Sequence, residues 1–111
     1  MEIIQKENIS IITPLSPKLD KYKTSRLVEI ILSSKNEIAL NLNNVSDCTI
    51  DFIEGLKKLS VLKKIGIYNI TSDIFTIFNI MNIDKILPLY TSELDFEEKS
   101  RQLINRKFSL T

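Results

Sequence analysis

Residues Glu37–Leu62, EIALNLNNVSDCTIDFIEGLKKLSVL, carry the reading of this chain. Ile38, Leu40 and Leu42 alternate with Ala39 and Asn41, the period of a strand with two different faces. Asn43 and Asn44 make a polar turn, and Val45 to Thr49 form a loop rich in hydroxyls and carboxylates. A helix then begins near Asp51, with Thr49 or Ile50 at its N-cap. Its apolar stripe is Phe52, Ile53, Leu56, Leu59 and Leu62, and Lys57 and Lys58 face solvent. Asp51 and Glu54 in the first turn suit the helix dipole. A strand that runs into a helix this way places free N–H groups and short polar side chains at one edge of a sheet. That edge is where open α/β domains put their working surface.

Outward from this stretch, the pattern continues as strands and helices in alternation. Ile3 and Ile4, then Ile9, Ile11 and Ile12, flank the polar Lys6–Glu7–Asn8 and predict a hairpin, closed by Pro14 and Pro17. Leu19, Tyr22, Leu27, Ile30 and Ile31 recur at helical spacing over Leu19–Leu32. Lys64–Tyr68 predicts a strand, and Thr71 or Ser72 through Met81 a short helix with Ile74, Ile77, Phe78 and Met81 inward. Ile83 and Ile86–Tyr90 predict an extended edge containing Pro88, and Ser92–Asn105 a last helix with Leu94, Phe96 and Leu103 on its apolar side. The order implies an α/β domain of mostly parallel sheet with right-handed crossovers, one domain over residues 1–111.

Composition narrows the chemistry. The chain has 15 basic and 14 acidic residues, so no net field favours nucleic acid or acidic lipid. It has no histidine and a single cysteine, Cys48, which fits a reducing compartment and excludes an internal disulfide. MEIIQKE is not a signal peptide, and no apolar run nears the roughly 20 residues of a membrane helix. The expectation is a soluble, cytoplasmic protein that inserts in no membrane, needs no cofactor and is a monomer or weak dimer.

The residues also resemble a family. The STAS domain of bacterial anti-sigma-factor antagonists has a strand–loop–helix pattern of roughly LDLSxVxFxDSSGLxxLL, and this chain has LNLNNVSDCTIDFIEGLKKL. Leu40, Leu42, Val45, Ile53, Leu56 and Leu59 fall on its apolar positions. Further on, Asn69, Ile74, Phe78, Ile83, Pro88 and Tyr90 match the family's later pattern. The resemblance implies a mixed sheet of four to five strands wound with about four helices as a β-α superhelix, helices on one side. It implies no catalysis. In the family, a serine after the loop aspartate is phosphorylated by a partner kinase that is also the anti-sigma factor, and the unphosphorylated form binds that kinase.

At that spot this chain departs from the pattern: Thr49, Ile50, Asp51 and Phe52 replace Asp-Ser-Ser-Gly, so the phosphoacceptor position is Ile50. A register shifted by two would place Asp47, Cys48 and Thr49 there, at the cost of a deletion and of Val45. Ser46, Asp47, Thr49, Ile50, Asp51, Phe52 and Glu54 are the candidate partner-binding residues. Thr49 and Ser46 are the remaining candidates for phosphorylation, or are capping and turn residues. Asp51 is a dipole partner or an imitation of a phosphate. Cys48 lacks any histidine base. Asp47, Asp51 and Glu54 would share a face for a cation only in one continuous helix, so no metal site is expected. Phe52 is either an exposed binding anchor or filler in the helix–sheet seam. Two functions follow: an interaction module of the anti-sigma-factor-antagonist kind with its serine switch lost or altered, or an accessory subunit docking on the ATPase of a membrane lipid transporter.

Overall fold

The computed structural model describes residues 1–90. Ile9–Thr13 (β2), Glu37–Asn41 (β4), Ile65–Tyr68 (β6) and Leu89–Tyr90 (β7) run parallel, and Glu2–Lys6 (β1) adds antiparallel to β2. The sheet order is β1-β2-β4-β6-β7. Among the described residues three α-helices connect the strands: Lys21–Ser33 (α1), Ile50–Ser60 (α2) and Ser72–Ile80 (α3). A second, two-stranded ladder joins Lys18–Leu19 (β3) to Asp47–Cys48 (β5) in parallel. The helix predicted at Ser92–Asn105 lies outside the described residues.

The two-residue period of the strands sorts side chains onto two faces. On one face Ile12, Ile38, Leu40, Ile65 and Ile67 meet Leu27 and Ile31 of α1, Phe52, Ile53, Leu56 and Leu59 of α2, and Ile74 and Phe78 of α3 in one buried cluster. The helices therefore share one side of the sheet, as the resemblance implied. On the other face Ile11, Ala39 and Tyr68 form a smaller cluster, with Ile9 and Tyr90 partly buried against it. The predicted second face of β4, carried by Ala39 and Asn41, is this one.

Several expected boundaries move, each for a local reason. Leu19 does not open α1; it is buried in β3, and Asp20 caps the helix by accepting a hydrogen bond from Lys23 N–H at 2.9 Å. Tyr22, placed by spacing on the apolar stripe, points to solvent. Val45 to Thr49 is not plain loop, because backbone pairing to β3 makes Asp47–Cys48 a strand. Leu62 lies past the end of α2 and is exposed. Ile83 is not extended: Asn82 turns left-handed at φ 60° and starts a 3-10 turn, Ile83–Lys85, that drops Ile83 into the core. Only Leu89–Tyr90 pairs with β6, with Pro88 just ahead of it on the edge of the described sheet.

Phe52 resolves in favour of packing. Its side chain is 1% exposed, and its ring lies 6.3 Å from that of Phe78 with a 32° tilt, joining α2 to α3 over the sheet. Phe52→Ala should lower unfolding free energy by about 3–5 kcal/mol in urea titrations. Gly55, where α2 crosses α1, offers the opposite outcome. A Cβ there would meet Val28 Cγ2 at 3.4 Å and Thr24 Cγ2 at 3.5 Å, ordinary contact distances. Gly55→Ala should therefore stabilise by about 0.5–1 kcal/mol, because the helix gains propensity without a clash.

Candidate functional site

The segment from Val45 to Gly55 is held from three sides. Below it, Val45 is fully buried, its N–H donates to Leu42 O at 3.0 Å, and its own carbonyl accepts from Thr71 Oγ1 at 3.1 Å. Laterally, two carbonyls ahead of α1 act as a strap. Pro17 O accepts from Ser46 N–H at 2.8 Å, Asp47 N–H at 3.0 Å and Ser46 Oγ at 3.3 Å. Leu19 O accepts from Thr49 N–H at 3.1 Å and Thr49 Oγ1 at 3.2 Å. On the third side Phe52 and Ile53 sink into the core.

This strap decides what each candidate residue can present. Thr49 is the N-cap of α2 in extended conformation, with its carbonyl accepting from Phe52 N–H at 3.1 Å. Its hydroxyl makes no capping bond and instead reaches sideways to Leu19. Ser46 is exposed, yet its hydroxyl also contacts a main-chain carbonyl. Asp47 stands at the surface 4.0 Å from Lys18 Nζ, a solvent-exposed pair of little energetic weight. Asp47 lies in β5 whereas Asp51 and Glu54 lie in α2, so the three carboxylates do not share one helix face. Among the described residues no group of three His, Cys, Asp or Glu side chains gathers around a common point.

Ile50 is the first residue of α2, and 56% of its side-chain-bearing surface is open to solvent. Glu54 sits one turn on, and Asp51 beside it; both are exposed. The result is an exposed apolar side chain at the start of α2 with the exposed carboxylates of Asp51 and Glu54 on the same helix, on a backbone fixed by the strap. Of the candidates, then, Ser46, Asp47, Ile50, Asp51 and Glu54 share the outer surface, Thr49 is partly withdrawn, and Phe52 belongs to the core. Pro17 and Leu19 were missed as supports of the site. Their sequence signals read otherwise: Pro14 and Pro17 close the hairpin, and Leu19 opens the apolar stripe of the next helix.

A solved structure from Thermotoga maritima, of a candidate anti-sigma factor antagonist, superimposes with a TM-score of 0.76 at 15% sequence identity. The likeness covers 90% of this chain and 93% of that one. The domain therefore has the fold of the anti-sigma-factor antagonists, the STAS fold. No family model and no curated protein matches the chain in sequence. Among the described residues, no helix is long and apolar enough to cross a membrane.

Cys48 lies half-buried in β5. Burial first, and the neighbouring Asp47 carboxylate second, push its thiol from 9.0 up to about 11. Below about pH 11 the folded thiol stays protonated, so it is a poor nucleophile at neutral pH. Iodoacetamide should label the folded protein much more slowly than the urea-unfolded chain at pH 7.5, the difference shrinking as pH rises toward 11. Because the folded pKa is raised, this thiol's contribution to stability is complete below pH 9.0 and is lost between 9.0 and about 11.

Proposed function

We propose that this chain is a non-enzymatic protein-interaction module of the anti-sigma-factor-antagonist kind, acting in the cytoplasm, whose serine switch has been lost. The observation that carries the reading is the position of Ile50. The resemblance aligns Ile50 with the phosphorylated serine, and the fold places it as the first, outward-facing residue of the helix after β5. A branched alkyl group at a helix N-terminus cannot accept phosphate, and it leaves an apolar contact point where the family carries a switch. The hydroxyls of Thr49 and Ser46 are engaged with Leu19 O and Pro17 O, which leaves them poorly disposed as substitutes.

The partner surface is made of Ser46, Asp47, Ile50, Asp51 and Glu54, with Thr49 at its inner rim. The partner is a protein, an anti-sigma factor of the serine-kinase type. The permanent carboxylate of Asp51 tunes this surface but does not reproduce a phosphate, which carries close to two charges and three acceptors. With no histidine in the chain and a protonated Cys48, the surface holds no acid–base pair at neutral pH.

The test is binding to serine-kinase anti-sigma factors of the source organism, measured by calorimetry on the full chain. Ile50→Arg should weaken binding by more than about tenfold, because a central apolar contact is replaced by a charge. Lys57→Ala, on the solvent side of α2, should leave it unchanged. Incubation with the kinase and Mg-ATP should leave the intact mass of the domain unaltered. Stoichiometric phosphate on Thr49 or Ser46 would restore the switch and refute its loss. Retention by a transporter ATPase instead of any such kinase would favour the accessory-subunit reading.

A further inference from the structure

The far end of α2 carries a feature that the surface around Ile50 does not use. Ile50 opens the helix, and the chain leaves it through Val61 and Leu62, about 16 Å away along the axis. The apolar stripe read from the sequence included Leu62, yet Leu62 is 64% exposed and Val61 82%. Two adjacent aliphatic side chains are thus turned to solvent at a helix end. Their backbone is held in place. Leu59 O accepts from Leu62 N–H at 3.0 Å and from Lys63 N–H at 2.9 Å, and Lys63 Nζ donates to Ser34 O at the end of α1. Lysines flank this tip. Lys57 and Lys58 stand one helical turn before Val61 and Leu62, Lys64 follows them, and all three are exposed. Among the described residues no carboxylate pairs with any of the three. No acidic residue occurs between Glu54 and Asp73, so a nearly neutral chain gathers four of its 15 basic residues in the eight positions 57–64. Lys57 and Lys58 in the last turn suit the helix dipole. That accounts for neither Lys64 nor the exposure of Val61 and Leu62.

We propose that this tip rests on an anionic bilayer surface, with Val61 and Leu62 reaching into the headgroup boundary and Lys57, Lys58 and Lys64 against the lipid phosphates. The chain lies on the bilayer and does not span it. Interfacial binding grows with the apolar area buried and with attraction to anionic lipid, and stable binding takes both. The segment Lys57–Lys64 supplies both within eight residues. Two features favour a bilayer over other anionic partners. First, two neighbouring side chains are far fewer than the roughly twenty residues that a stable protein interface takes from each side. A fluid bilayer needs no such area, because it closes around whatever projects into it. Second, every cation of the segment is a lysine, and the segment has no aromatic residue. It therefore has no guanidinium to grip a base edge in two places and no ring on which a base could stack. A chain seated by this tip keeps the Ile50 surface, at the opposite end of α2, clear of lipid, so the contact does not depend on what binds there.

The experiment is flotation of the full chain with vesicles of phosphatidylcholine, with and without phosphatidylglycerol. The expected result is reversible binding to the mixed vesicles at about 0.1 M salt and none to pure phosphatidylcholine. At about 1 M salt, where charges are screened within about 3 Å, the chain should be released. Lys57→Gln, Lys58→Gln and Lys64→Gln combined should weaken binding by more than about tenfold, since each lysine near an anionic leaflet contributes about fivefold. Val61→Ser with Leu62→Ser should weaken it by about tenfold. All five side chains are exposed, so these variants should keep the circular dichroism of the parent. The chain has no tryptophan, so Val61→Trp supplies a single reporter and a test that removes no charge. Its emission should shift to the blue on mixed vesicles and be quenched by brominated lipid. Tyr22→Trp, 84% exposed and at the end of α1 away from Ser34, should show neither change. Absence of binding to mixed vesicles at about 0.1 M salt overturns the proposal. So does binding indifferent to either set of variants, or a tryptophan at position 61 that does not shift. Duplex DNA bound as tightly as the vesicles, through the lysines but without need of Val61 and Leu62, would mark a general polyanion surface and overturn it as well.

Discussion

The burial of β4 on both faces constrains everything around it. Ile38 and Leu40 are fully buried on the side where the described helices lie, and Ala39 is equally buried on the other. A strand covered on both faces cannot offer its side chains to solvent, so parallel neighbours must reach it by crossovers, and each crossover here is an amphipathic helix. Once Leu40 and Leu42 take their places, Val45 has to turn inward to continue the same apolar column, and α2 has to start where the strand direction leaves it. The exposed residues of the candidate site stand on that column; their position follows from the core beneath them.

The strap formed by Pro17 O and Leu19 O adds a second constraint, because it fixes the main chain of Ser46, Asp47 and Thr49 directly. Loops that meet partners often rely on small residues to bring backbone close. Here the chain places Phe52 where the family pattern has glycine, and it does so without strain because the ring goes down into the seam with Phe78 instead of outward. With Phe52 withdrawn, the outward side chain becomes Ile50. A change at one position therefore alters two features together: the hydroxyl is absent, and an alkyl group occupies the opening of the helix.

How much of this was legible in the sequence depends on the range of the interactions involved. Elements driven by local periodicity read well. The alternation in Ile38–Leu42 separates the helix-facing side of β4 from the side of Ala39, the stripe Phe52, Ile53, Leu56, Leu59 records burial on one side of α2, and both sit as expected. Elements made by distant backbone pairing did not read. Nothing local in Asp47–Cys48 distinguishes a strand from a loop, because the bonds that make it a strand go to residues about thirty positions earlier. Leu19 was assigned to α1 for the same reason: its apolar side chain fits a helical stripe, whereas its real role is set by its carbonyl. The 3-10 turn at Ile83 depends on the left-handed backbone of Asn82, a conformation asparagine permits but does not announce. Within the candidate site the chemistry of each residue was legible, and its orientation was not. Phe52 and Ile50 stand two positions apart, and which of them faces solvent is decided by helix phase relative to the sheet.

That last point bears on how function can change while a fold persists. The apolar positions shared with the family pattern, Leu40, Leu42, Val45, Ile53, Leu56 and Leu59, are all nearly fully buried, so they are held by packing density and tolerate little change. The positions that differ from the pattern at the loop fall into two kinds. Phe52 is buried and had to be accommodated by the core; Ile50 and Asp51 are exposed and had to satisfy only solvent and whatever docks there. Substitution at an exposed helix start costs the fold little, since the N-terminal N–H groups of α2 remain available to water or to a partner. A phosphorylatable hydroxyl can therefore be lost from this scaffold without loss of the scaffold. Beneath it, Ser46, Asp47 and Thr49 stay tied to Pro17 O and Leu19 O, and Ile50, Asp51 and Glu54 stay exposed at the start of α2.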